Sequence, residues 1–373
     1  MLLPIFCAAT LVQLLFWALI LPTAYRKRIP AAPVPEPEFP LSVIVCFRNE
    51  ADYLAACLEG ILAQDYPAGF EVVLVDDNST DRSPEIALAY AGYDDRVRVV
   101  HPGPTRPGKK DALAYGIEKA RYECMVLTDA DCTPASHDWL RHLAAGLYGR
   151  HDLAIGVSPY RTSTTNPWLG AWQQFEAFYV SLKYLSFARL GSPYMGVGRN
   201  LAYTKGFYAR AGGFEGHADL PSGDDDLLVS AGAQPWSTST VTHPAAWVWS
   251  RPHGSFQQYL HQRARHQTTG VRYPCEISLL LGLLALSHGL FFLLGLFVLF
   301  TQPVLAISVY LGRATFVLLS FRRPYMQLGE AAGTGLRGKS ALSWWGTVLL
   351  GDLLLGPMYL YLASSGRGRK KTW

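Results

Sequence analysis

No two cysteines in this 373-residue chain stand as Cys-x-x-Cys. The six present (Cys7, Cys46, Cys57, Cys124, Cys132, Cys275) are scattered, which argues against a structural zinc site and a disulfide framework and fits a reducing compartment. Charge is sparse: Asp, Glu, Lys and Arg make up 17% of residues, and the net charge is only +4. So small a surplus gives no reason to expect a nucleic-acid partner. None of the ten histidines forms a pair at the helical spacing of metal ligands, and there is no internal repeat.

The apolar residues, half of the chain, are unevenly placed. Residues 2–22 are apolar apart from Gln13 and a threonine, long enough to cross a bilayer. Arg26-Lys27-Arg28 follows, with no clear small-residue cleavage site, so an anchor is expected with its following side in the cytoplasm. Residues 29–40 hold five prolines and read as a semi-rigid linker. Near the other end, residues 277–300 and 303–321 form two apolar runs joined by Thr301-Gln302, with Arg322-Arg323 beyond. A third run, 341–362, contains Asp352 and Pro357. Three spans here would put Arg367, Arg369, Lys370 and Lys371 on the outer side, against the positive-inside tendency. Either the tail is an exception or the last run is re-entrant or interfacial. A carboxylate facing lipid is costly, which favours a buried or cavity-facing Asp352.

Between these ends lies an ordinary globular stretch. Ser42–Cys46, Phe70–Val75, Val97–His101 and Cys124–Leu127 are apolar runs of strand length, and the segments near 50–64, after Ser83 and near 111–120 read as helices. Strands alternating with helices, with polar residues at the strand ends, imply a doubly wound α/β sheet. The fourth strand leads into Asp129-Ala130-Asp131, with Pro134 expected to end it. Residues i and i+2 of extended backbone face the same way. Two hard oxygen donors at a strand's carboxyl end suit Mg²⁺ or Mn²⁺ carrying a diphosphate. Gly103-x4-Gly108-Lys109 imitates a P-loop, but Lys110 stands where that loop needs Ser or Thr, and Pro102, Pro104 and Pro107 stiffen it.

Four pieces stand together in order: Ser42-Val43-Ile44-Val45 with Arg48-Asn49-Glu50, then Val75-Asp76-Asp77-Asn78-Ser79, then Gly108-Lys109-Lys110-Asp111-Ala112-Leu113, then Asp129-Ala130-Asp131. In this the chain resembles the family 2 glycosyltransferases, inverting enzymes of the GT-A nucleotide-sugar fold. The resemblance implies that Asp76 contacts the nucleotide base, that Lys109 lies by the nucleotide, and that Asp129 and Asp131 bind ribose, diphosphate and metal. A divalent ion neutralises a departing nucleoside diphosphate without proton transfer.

The resemblance extends further. Gly196-Val197-Gly198-Arg199-Asn200 and Gly212-Gly213-Phe214 also match the family. Ser222-Gly223-Asp224-Asp225-Asp226-Leu227 stands where membrane members carry an acidic motif with the general base. The gapless match puts the base at Asp224, and Gly223 in place of the pattern's Glu leaves Asp225 open. Gln262-Arg263-Ala264-Arg265-His266 stands at the family's Gln-x-x-Arg-Trp: Gln262 and Arg265 fit, and His266 replaces the tryptophan near the acceptor. Arg265 can pair with a diphosphate. Residues 167–190 are rich in aromatics, either as core or as a helix at the membrane surface.

Together these features lead us to expect four regions. They are an N-terminal transmembrane helix (1–24), a linker (25–40), a cytoplasmic GT-A domain with a doubly wound mixed sheet (41–270), and a C-terminal membrane region of two or three transmembrane helices (271–373). The expected activity is transfer of one sugar, with inversion, from a nucleotide sugar (UDP-linked by the resemblance) to a membrane lipid or other apolar acceptor. Mn²⁺ or Mg²⁺ is the expected cofactor, the cell membrane the expected location, and self-association is left open. The alternatives are a processive polysaccharide synthase, disfavoured by His266, and a catalytically silent GT-A scaffold, disfavoured by the Asp129, Asp131, Asp224 and Arg265 set.

Overall fold

The computed structural model describes residues 2–25, 38–161, 165–331 and 339–365. Arg26-Lys27-Arg28, the linker as far as residue 37, and the basic residues Arg367, Arg369, Lys370 and Lys371 lie outside the described residues. The chain opens with α1 (Leu2–Leu15), which runs on through a π turn and a 3-10 turn to Tyr25. The expected alternation follows: β1 (Leu41–Phe47), α2 (Leu54–Leu62), β2 (Phe70–Asp76), α3 (Ser83–Tyr93), β3 (Val97–Val100), α4 (Lys110–Lys119) and β4 (Cys124–Asp129). Next come β5 (Thr133–Pro134), α5 (Trp139–Ala145), β6 (Leu153–Ile155), α6 (Pro167–Arg189), β7 (Leu201–Thr204), α7 (Lys205–Arg210), α8 (Asp226–Gly232), β8 (Thr238–Thr240), β9 (Val248–Trp249) and α9 (Phe256–Gln267). Three long helices close the described chain: α10 (Cys275–Thr301), α11 (Pro303–Ala331) and α12 (Lys339–Ser365).

Every residue of β1 and of β2 is buried, as both faces of a parallel sheet covered by helices require. The sheet has seven strands in the order β3-β2-β1-β4-β7-β6-β8. Strands β1 to β4 are mutually parallel and β7 runs against both its neighbours, so the sheet is mixed. From β1 the chain winds outward to β2 and β3, then returns across to β4. The carboxyl ends of β1 and β4, where Cys46 pairs with Asp129, are therefore the switch point at which such sheets bind ligands.

Local chemistry shifted some expected boundaries. Helix α2 starts at Leu54 rather than near residue 50, because Asn49 holds a positive φ of 58° and Glu50 donates its N–H to Ser83 Oγ at 2.7 Å. Pro134 does not simply end a strand; β5 pairs antiparallel with β9. After β6, an isolated bridge joins Tyr160 and Ser250.

Helix α6 opens with Asn166 capping the Leu169 N–H at 3.1 Å and a proline in its first turn. Its aromatics join the domain to the long helices. Phe175 stacks on Phe321 at 5.2 Å, Tyr179 lies 6.1 Å from Trp17, and Ser181 Oγ meets Tyr25 OH at 3.0 Å. Trp168 alone among these rings stands out, 81% exposed.

Four helical segments are long and apolar enough to cross a membrane: Leu2–Tyr25, Cys275–Thr301, Pro303–Leu328 and Trp344–Leu362. Leu279, Leu286, Leu293, Leu296 and Phe300 of α10 are exposed, an outward apolar face suited to lipid. Helix α12 rests on the α/β domain near both of its ends. Near its start, Trp344 meets Phe178 edge-on at 6.0 Å; near its end, Leu362 is buried among Leu169, Tyr259 and Leu260.

Inside the helix bundle lies a polar knot. Arg313 gives Asp352 two hydrogen bonds, at 2.5 and 2.9 Å, and gives Gln13 Oε1 another at 2.7 Å. Gln13 donates onward to Ser287 Oγ at 2.8 Å, and His288 Nδ1 lies 3.2 Å from the guanidinium. Asp352 is thus buried, as its cost in lipid demands, and α1, α10, α11 and α12 each contribute to the knot.

Candidate active site

A cavity of about 550 Å³ opens at the β1/β4 switch point and runs toward the long helices. At the sheet end its wall includes Asp77, Lys109, Asp129 and Asp131; its middle holds Asp224, Asp225, Arg265 and His266; toward the long helices its wall includes Lys183, Leu281, Tyr359 and Leu362. Of the residues singled out in the sequence, Lys109, Asp129, Asp131, Asp224, Asp225, Gln262, Arg265 and His266 therefore share one space. Asp76 does not line it. Its Oδ1 accepts the Ser79 N–H at 2.9 Å within the turn after β2, and the neighbouring Asp77 faces the cavity instead.

The two strand-end carboxylates are held differently. Asp129 forms an ion pair with Lys109. Burial works to raise this carboxyl, but Lys109, with Arg199 and Arg265 beyond, outweighs it and holds the group below its ordinary value. Burial, and then the charge of Asp129, push Asp131 up. Asp129, Asp131 and Cys132 offer ligand atoms within 4.8 Å of one another. Burial keeps the Cys132 thiol protonated, and its Sγ donates to Asp131 Oδ1 at 3.3 Å, so the donors left for a cation are carboxylate oxygens. That set fits a hard divalent ion, and the raised Asp131 is a carboxylate short of positive charge.

The acidic run divides its three carboxylates among three environments. Asp226 accepts hydrogen bonds from Thr269 and from Tyr273 OH, the latter at 2.7 Å, and is tied into the wall. Asp225 takes the N–H groups of Gly198 at 2.9 Å and Asp226 at 2.7 Å; burial, then Asp224 and Asp226, push it up to about 8. Asp224 lines the cavity and, among the described residues, accepts no hydrogen bond. Gly223 has φ of +104°, and a Cβ there would strike Leu227 at 2.7 Å, so a side chain at this position would be strained.

On α9, Gln262 Oε1 lies 2.8 Å from His253 Nε2, which orients the amide. Burial, and then Arg263, Arg265 and Arg199, hold His266 well below its ordinary value, so it is a neutral imidazole. Arg263 is matched by Glu176 at 2.8 Å. Three cavity residues went unmarked in the sequence: Glu50, raised to about 7 by burial and by Asp131 and Asp129; Arg199, over the Tyr160 ring at 5.1 Å; and Lys183. Glu50 and Arg199 stood inside quoted motifs, which was signal enough to include them. Lys183 stood among aromatics with nothing to mark it.

A mixed sheet wound this way, with an Asp-x-Asp at its switch point, is a GT-A nucleotide-sugar domain. Residues 42–208 match the model of glycosyl transferase family 2. The glycosyltransferase GlyG of Streptococcus pneumoniae is 42% identical over 91 residues, 24% of this chain and 30% of that protein. The beta-monoglucosyldiacylglycerol synthase of Nostoc sp. is 29% identical over 144 residues, 38% of this chain and 30% of that protein. The chain thus spans under a third of the length of these curated relatives. The fold match runs further. The mannosyltransferase PcManGT from Pyrobaculum calidifontis, solved with GDP-Man and Mn²⁺, superposes with a TM-score of 0.60 at 22% identity, over 98% of this chain and 97% of that one.

Proposed function

We propose that the protein is an inverting glycosyltransferase that moves one sugar from a nucleoside-diphosphate sugar to a lipid at the membrane surface. The observation that carries this is the single cavity joining Asp129 and Asp131 to Tyr359 and Leu362 of a membrane helix. A soluble donor and an apolar acceptor can meet there. UDP-sugars are the first donors to test, followed by GDP-mannose, which the structural relative holds.

In this scheme Asp129 and Asp131 hold a divalent ion, which would offset charge on the departing diphosphate when bound. Lys109 lies beside the nucleotide, Asp77 borders the base while Asp76 holds the turn beside it, and Arg265 pairs with a phosphate. Gln262 and His266 flank the acceptor sugar position, and His266, being neutral, can accept or donate a hydrogen bond there. Asp224 takes the proton of the acceptor hydroxyl as that oxygen attacks the anomeric carbon opposite the leaving group. Asp225 serves this role less well, because at about 8 it is largely protonated at neutral pH and is occupied by two backbone N–H groups. The domain lies on the cytoplasmic side of the cell membrane, where nucleotide sugars are made.

The test is nucleotide release by detergent-purified protein with Mn²⁺ or Mg²⁺ across nucleotide sugars and membrane lipids. Release that requires both one sugar and one lipid, giving a discrete glycolipid, is expected. A growing polymer formed without added lipid would establish the synthase instead, and failure to bind any nucleotide sugar would leave the silent scaffold.

A further inference from the structure

Among the described residues, the cation at the far end of the cavity has no acidic partner of its own. Lys183 of α6 is half-buried and lines the cavity wall. Among the described residues its ammonium donates no hydrogen bond and makes no ion pair. It lies over the Tyr179 ring at 4.4 Å and near the Tyr359 ring at 5.7 Å. The nearest acidic candidate, Glu176, is already engaged by Arg263 at 2.8 Å and by Tyr259 OH at 2.7 Å. Burial lowers Lys183 to about 8, and Arg263 adds to this while Glu176 opposes it. The protein thus supplies too little negative charge to balance this ammonium. A lysine among apolar side chains would ordinarily extend to water or find a carboxylate. This one is held between α6 and α12, with Leu281 and Leu362 on the same wall.

Resting on the acceptor reading above, we infer that this end of the cavity binds an anionic headgroup, a phosphate or carboxylate, carried by the acceptor lipid. The anion meets Lys183, the tyrosine rings flank it, and the lipid chain leaves along the apolar side chains of α10 and α12. The reacting hydroxyl then points inward toward Asp224. Lys183 is a binding residue for the acceptor and takes no part in proton transfer.

The test is calorimetric binding to the detergent-purified full chain of three probes: dodecyl phosphate, the neutral dodecylglycerol, and inorganic phosphate. Dodecyl phosphate should bind at least about 10-fold more tightly than dodecylglycerol, as one charge-assisted hydrogen bond provides. Lys183→Gln should lose about that factor, and Lys183→Arg should keep most of it. Binding of nucleotide sugar with Mn²⁺ to Lys183→Gln serves as the check that this variant is folded. The inference is overturned if folded Lys183→Gln binds dodecyl phosphate as wild type does, or if dodecylglycerol binds equally well. Inorganic phosphate binding as tightly as dodecyl phosphate would overturn the lipid as the source of the anion. Loss of nucleotide-sugar binding by wild type would sink the transferase reading while leaving the headgroup result to stand on its own probes.

Discussion

Arg313 of α11 and Asp352 of α12 face each other through two hydrogen bonds, and neither residue is more than 2% exposed. Removing one partner leaves the other's charge buried and unmatched. Asp352→Ala should cost about 3–5 kcal/mol of stability, read as thermal unfolding in detergent. Replacing both residues together, as Arg313→Met with Asp352→Leu, should recover much of that loss. If the single variant melts as wild type does, the knot does not hold the helices together.

Asp129→Ala and Asp131→Ala should each abolish metal-dependent binding of the nucleotide sugar, measured by titrating Mn²⁺ at fixed donor. The assignment fails if both variants keep Mn²⁺-dependent turnover. Lys109→Met should act differently. With its cation gone, Asp129 should rise toward the ordinary carboxylate range, and the Mn²⁺ requirement should persist.

Asp224→Asn should lower kcat by about 10²–10⁴-fold, the usual contribution of a general base, with donor binding unchanged. Asp225→Asn should retain most activity near pH 7, since the side chain it replaces is already largely protonated there. Near-normal transfer by Asp224→Asn alongside a dead Asp225→Asn would reverse the two roles.

Asp225 also makes a prediction about pH. Its carboxyl rises from 3.8 to about 8 on folding, so the folded chain binds the extra proton. The stability this contributes is complete below about pH 4 and is lost as pH rises through about 8. Asp225→Asn should flatten the fall in melting temperature between those limits. Parallel profiles for variant and wild type would show that the group is not raised.

Trp344 and Leu362, near opposite ends of α12, both rest on the catalytic-side domain. We expect a helix held in this way to start and finish on the same side of the bilayer. A tag fused after Trp373 should therefore be digested from the face that exposes the catalytic domain, and a tag reached only from the opposite face would show that α12 crosses. Same-side placement would also put Arg367, Arg369, Lys370 and Lys371 with Arg322 and Arg323, as the positive-inside tendency prefers.

Much of the sheet was legible because β1, β2 and β4 are apolar runs buried on both faces, with polar residues only at their ends. Asp129 was legible in the same way, at the carboxyl end of β4, and Asp224 as part of an acidic run that precedes α8. What could not be read depends on partners far along the chain. Leu201–Thr204 has no local feature that says it runs antiparallel beside β4. Arg313 stands inside an apolar run, and the carboxylate that explains it lies 39 residues away on another helix. Lys183 and Tyr359 are far apart in the sequence and meet only because α12 folds over α6. Asp76 and Asp77 are equivalent on paper; the turn after β2 decides which one faces the cavity.

Under the proposed function, a cavity lined by the switch point of the sheet and by Leu281, Tyr359 and Leu362 would draw its two substrates from different phases. The donor would arrive at its concentration in water. A lipid acceptor would arrive by lateral diffusion, so the quantity that sets its encounter rate would be its density in the surface. Diluting the assay with buffer should leave the acceptor's half-saturation unchanged, whereas diluting it with inert detergent or lipid should raise it.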